Sequence, residues 1–147
     1  MRTYRRTVVA EASPDQVWAY LADFTTTNDW DPRAHRTRRL SGDGDVGTEY
    51  ETHVRFLGRE TRMRYKTNRL EPHRRIEWVG HNSTVRACDV IEVWPHPEGT
   101  VVDYTTSYAY RHLPWLMDRL MSRPIDRLCD EAQVGLARTL SERSNAS

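Results

Sequence analysis

Residues 85–93, VRACDVIEV, alternate with the period of a strand, which places Val85, Ala87, Asp89, Ile91 and Val93 on one side. Asp89, a carboxylate in that apolar company, is the residue of this chain best placed for chemistry. On a buried face it must be hydrogen-bonded, open to water in a cavity, or shifted in pKa. Two roles fit: a structural Asp held by a tyrosine hydroxyl or an ordered water, or a group that contacts a ligand and moves protons. The next segment, GTVVDYTTSYAYRHLP (99–114), supplies the hydroxyls. Every second residue from Val102 gives Val102, Tyr104, Thr106, Tyr108 and Tyr110, a face with three tyrosines where a dry core would carry Val, Ile or Leu. Buried tyrosines need polar partners. The face therefore reads as a cavity wall, where hydroxyls meet water or ligand.

Other motifs point away from chemistry. GDGDVG at 42–47 satisfies the pattern of a dinucleotide fingerprint. A strand pattern rather than a helix follows it, though, and Asp43 and Asp45 would repel a pyrophosphate, so it reads as a hairpin turn. The six histidines are dispersed, with no pairing at ligand spacing, and no metal site is expected. No serine has an evident base and no nucleotide-binding loop occurs. Arg36, Arg38 and Arg39, or Arg59, Arg62 and Arg64, form basic clusters, yet Glu49, Glu51, Glu60, Glu77 and Glu92 interleave with them. That pattern reads as a solvated, paired face rather than a nucleic-acid site.

Composition sets the frame for these residues. A chain of 147 residues suits one domain. Its 22 basic and 21 acidic side chains nearly cancel, so the overall field attracts neither nucleic acid nor an anionic membrane. Lys66 is the one lysine, which confines Schiff-base chemistry to that position. Mean hydropathy is -0.81, and two Phe stand against five Trp and seven Tyr, so amphipathic aromatics must fill part of the interior. Neither a signal-like segment nor an apolar run of membrane-spanning length is present. The expectation is a soluble, cytoplasmic protein whose Cys88 and Cys129 are free thiols.

The elements that must position Asp89 and the tyrosines follow from periodicity. YRRTVVA (4–10) reads as a strand, and ASPDQVWAYLADF as a helix with Ser13 as cap, Pro14 in the first turn, and Val17, Trp18 and Leu21 on one face. TTTNDWDP predicts a turn or short second helix ending at Pro32. From about 34 to 110 the period is two, in six runs joined by short turn-rich connections, the pattern of an antiparallel meander. Phase puts Tyr50, Thr52, Val54, Phe56, Met63, Tyr65, Thr67, Ile76 and Trp78 on the inner side, and charged residues outside. A long C-terminal helix follows, with Leu113, Leu116, Met117, Leu120, Met121, Ile125, Leu128, Ala132, Leu136 and Leu140 at helical spacing and a kink expected at Pro124. Trp94, Val90 and Cys88 share the outward phase and could form an apolar patch supporting a weak dimer. The reading is one domain over 1–142 with a frayed tail at 143–147.

Several stretches resemble the START-like, or SRPBCC, superfamily and its polyketide cyclase/dehydrase and lipid-transport group: VVAEASPDQVWAYLADFTTTNDWDP, GDGDVGTEY, RFLGRETRMRYKTNRLEPHRRIEW and EVWPHPEGTVVDYTTSYAY leading into LPWLMDRLM. The resemblance implies an α+β helix-grip fold, in which a curved seven-stranded antiparallel sheet wraps a long C-terminal helix, with one or two short helices after the first strand. It also implies an internal cavity for a small hydrophobic or aromatic ligand, lipid or polyketide-like, without metal or cofactor. On that basis the ligand-binding set is Tyr50, Phe56, Met63, Tyr65, Trp78, Asp89, Ile91, Val102, Tyr104, Tyr108, Met117 and Met121. The alternative is a cofactor-independent cyclase or dehydratase using Asp89 and Tyr104 for acid-base steps. Ring-closing relatives also use a buried arginine, and the inward phase offers one only near strand ends, at Arg69 or Arg74. A monomer or weak homodimer without stable membrane insertion is expected.

Overall fold

The computed structural model describes residues 1–56 and 58–146, with side chains to residue 144. Strand β1 (Arg2–Ala10) leads to helix α1 (Pro14–Leu21), a single 3-10 turn (Phe24–Thr26) and the short helix α2 (Thr27–Trp30). Strands β2 (Ala34–Ser41), β3 (Glu49–Phe56), β4 (Arg59–Glu71), β5 (Arg75–His81), β6 (Val85–His96) and β7 (Gly99–Tyr110) follow, and helix α3 (Pro114–Ala146) closes the chain. All pair antiparallel in one sheet of order β1-β7-β6-β5-β4-β3-β2. The helix-grip architecture expected from sequence is present. Helix α3 stays helical to Ala146, through most of the stretch read as a tail; Ser147 and Leu57, in the expected β3–β4 turn, lie outside the described residues.

Local chemistry accounts for the boundaries. Ser13 accepts from the Gln16 amide at 3.3 Å and the Gln16 side chain accepts from the Ser13 amide at 3.2 Å, a reciprocal cap with Pro14 at the first helical position. GDGDVG forms the β2–β3 hairpin: Gly42 has φ +92°, and a Cβ there would meet the Thr48 hydroxyl at 2.6 Å. That hydroxyl accepts from the Gly44 amide at 2.9 Å, closing the turn.

The alternation holds across the sheet. Tyr50, Thr52, Met63, Tyr65, Thr67, Ile76, Trp78, Ile91, Val93, Val102, Tyr104 and Thr106 are buried on the inner side. Phe24 stands at the centre of the α1 end, with ring centroids 5.4 Å from Tyr50, 4.7 Å from Tyr65 and 4.8 Å from Trp78. The helix packs unevenly. Ile125, Cys129, Ala132, Leu136, Thr139 and Leu140 are buried, whereas Leu113, just before the helix, and Trp115 and Leu120 in its first turns are more than half exposed. Leu113 and Leu120 therefore depart from the apolar face that spacing assigned to them. The outward apolar patch also differs from expectation: Val90 is buried, Cys88 and Trp94 are half-buried, and the Arg74 guanidinium lies 4.9 Å over the Trp94 ring. Among the described residues no helix is long and apolar enough to cross a membrane.

Candidate functional site

The side chains at the centre of the sheet converge on a residue outside its strands. Arg33 follows α2 and precedes β2, only 5% exposed. Its Nε and one terminal nitrogen donate to the two oxygens of Asp31 at 2.9 and 3.0 Å, a bidentate pair. The same terminal nitrogen donates to the Tyr104 hydroxyl at 2.6 Å; the other donates to Tyr108 at 2.7 Å and, more weakly, to Cys129 Sγ at 3.8 Å. All five N–H groups of the guanidinium are thus engaged.

This arrangement corrects the expectation for a buried arginine. Arg69 and Arg74 are exposed, Arg69 pairing with Glu71 at 2.7 Å; the buried cation is Arg33. Strand phase had no way to find it, because it sits on a loop brought over the sheet by α2. The signal was the D-P-R triplet Asp31-Pro32-Arg33: Pro32 holds an acid and a base two residues apart in an extended turn, and the Arg33 amide also donates to Asp31 at 3.0 Å.

Asp89 lies beside this cluster on β6. Thr106, its cross-strand partner, donates to Asp89 Oδ1 at 2.5 Å, and Oδ2 takes no hydrogen bond from any described residue. Burial pushes the Asp89 carboxyl up to about 6, against the opposing pull of the Arg33 charge and the Thr106 bond. Burial likewise raises Tyr65, Tyr104 and Tyr108, opposed by Arg33, and so keeps them neutral. Arg33 loses solvation on burial, but Asp31, Tyr104 and Tyr108 together outweigh this and its pKa rises well above the ordinary value. Near neutral pH the cluster therefore holds the Arg33 cation, an ionised Asp89 and three protonated phenols.

Because Tyr104 and Tyr108 accept from Arg33, their own hydrogens remain to be donated elsewhere. A cation bonded to a phenol oxygen makes its O–H a stronger donor. The cluster can present two such donors and one carboxylate to an oxygen-bearing molecule.

Of the twelve residues expected to line the site, the structure brings Tyr65, Asp89, Tyr104 and Tyr108 together around Arg33. Tyr50, Met63, Trp78, Ile91 and Val102 belong to the main apolar core, within which Trp78 Nε1 and the facing Thr67 hydroxyl are buried without a partner among the described residues. Phe56 and Met121 pack instead against a smaller cluster of Tyr4, Ile125 and Cys129, which Tyr108 and Tyr110 join. Met117 is half-buried on α3. Two concavities are present elsewhere. One of about 310 Å³ at the α1 end includes Trp18, Arg39, Tyr50 and Leu70; another of about 360 Å³ on the outer face is lined by Arg36, His53, Glu60, Thr61 and Arg62.

The family model described as polyketide cyclase / dehydrase and lipid transport matches residues 1–141. The chain belongs to that family. No curated protein matches it by sequence. Among solved structures, the Zhui aromatase/cyclase of Streptomyces sp. R1128 is similar with a TM-score of 0.78 at 17% identity, over 95% of this chain and 93% of that one. TTHA0849 of Thermus thermophilus gives 0.74 at 15%, over 94% of each. The di-domain aromatase/cyclase StfQ of the steffimycin biosynthetic pathway gives 0.74 at 13%, over 99% of this chain and 52% of StfQ. At these identities the likeness is one of fold, and polyketide cyclase/dehydrase family membership rests on the match over residues 1–141.

Proposed function

We propose that the chain binds a small oxygenated aromatic or polyketide-like molecule between the inner face of the sheet and α3. The observation that carries this reading is Arg33: its guanidinium orients Tyr104 and Tyr108 so that both phenols act as donors, beside an Asp89 oxygen that accepts no hydrogen bond from the described residues. A ketone or phenol oxygen suits those donors, and Trp78 Nε1 and the Thr67 hydroxyl offer two more buried polar atoms on the same side. Entry lies along the first turns of α3, where Leu116, Met117 and Met121 are only half-buried. Native mass spectrometry of the purified chain, alone and with a dihydroxyanthraquinone, tests this. One molecule bound per chain, with affinity reduced at least tenfold by Tyr104→Phe and Tyr108→Phe, is expected; unchanged affinity in both variants refutes it.

The buried arginine also favours a second reading, a cofactor-independent cyclase or dehydratase. Asp89 would take a proton from the carbon between two ketones, while Tyr104 and Tyr108 hold the enolate oxygen. The enolate carbon would attack a second ketone of the same molecule and close the ring, the alkoxide would recover the proton from Asp89, and loss of the new hydroxyl with a second proton from the attacking carbon, as water, would leave a carbon–carbon double bond. With a short linear poly-β-ketone as substrate, Asp89→Asn should abolish cyclisation yet keep affinity if this is right. Loss of affinity without detectable product in the wild type returns the simple binding reading.

A further inference from the structure

The outer face of the sheet separates charge in a way the linear sequence conceals. Registers align Arg38, Glu51, Arg64, His81 and Arg86 in one row across β2 to β6. His53 and Arg62 form the next row, and Arg55 faces Glu60 in the third. Arg36 joins them from a bulge in β2, where its φ of 51° directs it onto Glu60 at 3.0 Å. Six arginines thus share a corner with two glutamates, a net of four positive charges on a chain whose formal charge is +1. The other interleaved acids are elsewhere: Glu77 and Glu92 pair with Arg75, and Glu49 faces Lys66.

Both glutamates in the corner are already engaged. Glu51 pairs with Arg38 at 3.2 Å, and Glu60 is shared by Arg36 and His53 at 3.0 Å and by Arg55 at 3.7 Å. Arg62, Arg64 and Arg86 form no ion pair among the described residues, and all three are exposed. The corner replaces the uniformly paired face expected from sequence. The first row, across five strands at about 4.8 Å, is roughly 19 Å long, and the other two rows extend the corner by roughly 14 Å along β3 and β4.

We infer that this corner docks an acidic protein surface. Charge complementarity selects the sign of the partner, and the remaining features select its class. The rows contain no Phe, Tyr or Trp on which a base could stack, and their two carboxylates would face a continuous phosphate backbone. They offer no apolar side chain to enter a bilayer. A small polar area suits a weak, salt-dependent protein encounter. The inference does not depend on the ligand proposed for the inner face.

The test uses the full chain at low salt with three labelled probes: a poly-L-glutamate peptide, a DNA duplex, and phosphatidylcholine vesicles containing phosphatidylserine. Binding is read by fluorescence anisotropy and mapped by amide NMR shifts. The peptide should bind tightest and shift amides of β3 and β4. Arg62→Gln, Arg64→Gln and Arg86→Gln combined should weaken it at least tenfold, whereas Lys at the same positions should retain affinity within about threefold. The matched change of Arg119, Arg123 and Arg127 to Gln on α3 should leave it within twofold. Equal loss in the α3 variant, tighter binding of DNA or vesicles, or no peptide binding overturns the inference.

Discussion

Replacing Asp89 with Asn isolates the cost of holding a carboxylate inside this sheet. The group's ordinary pKa of 3.8 becomes about 6 on folding, because burial penalises the charged form more than Arg33 and Thr106 favour it. Between those values the folded protein keeps a proton that the unfolded chain has lost, so stability falls as pH rises through this window and levels off above about 6. At about 1.4 kcal/mol per tenfold change in equilibrium constant, the gap costs about 3 kcal/mol at pH 8. Asn cannot ionise, and its Oδ1 can still accept from Thr106. The variant should therefore gain up to about 3 kcal/mol at pH 8, raising Tm by roughly 6–12 °C for a chain of this size, and gain almost nothing at pH 4. Thermal melts of both proteins across pH 4 to 8, with the Asp89 carboxyl followed directly by carbon-13 NMR, provide the measurement. A difference in Tm that is constant with pH, or an Asn variant less stable at pH 8, would refute the reasoning.

Arg33→Leu removes one partner of a buried pair and leaves the Asp31 carboxylate, only 10% exposed, without its cation; urea unfolding should show a loss of about 3–5 kcal/mol. Arg33→Lys keeps the charge but cannot reproduce the fork, and should fall between that variant and the wild type. Gly80→Ala would place a Cβ 2.4 Å from the Tyr65 ring, so it should cost at least about 1–3 kcal/mol by the same assay; a neutral effect would show that the ring can move aside. Cys129 is fully buried, and burial raises the Cys88 thiol to about 11. Both should resist an aromatic disulfide reagent at pH 8 in the native state and react promptly in denaturant, and fast native labelling would contradict their placement.

Asp89, Tyr104 and Tyr108 were legible in the sequence because strand geometry is local: with a period of two, one buried residue fixes the phase of its neighbours. The same logic revealed the seven strands, the capped α1 and the long α3. It failed where position depends on packing between distant segments. Arg33 lies outside any strand, and its burial arises only when α2 docks on α3, an approach close enough that a Cβ at Gly135 would meet the Trp30 carbonyl at 2.4 Å. Leu113 and Leu120 carry the spacing of an inner helix face, yet the first turns of α3 leave them exposed, since periodicity reports which residues could be buried and not how closely the partner surface approaches.

The outer face shows the same division. The sequence alternates acids and bases along each strand, which reads as pairing everywhere; strand register decides which of them meet. Arg38 reaches Glu51 and Arg75 reaches both Glu77 and Glu92, while Arg62, Arg64 and Arg86 are left together. Residue types and their periodicity determined the elements and their buried sides by themselves. Tertiary structure alone decided the company of Arg33 and the net charge of the outer corner, because both depend on contacts between segments far apart in the chain.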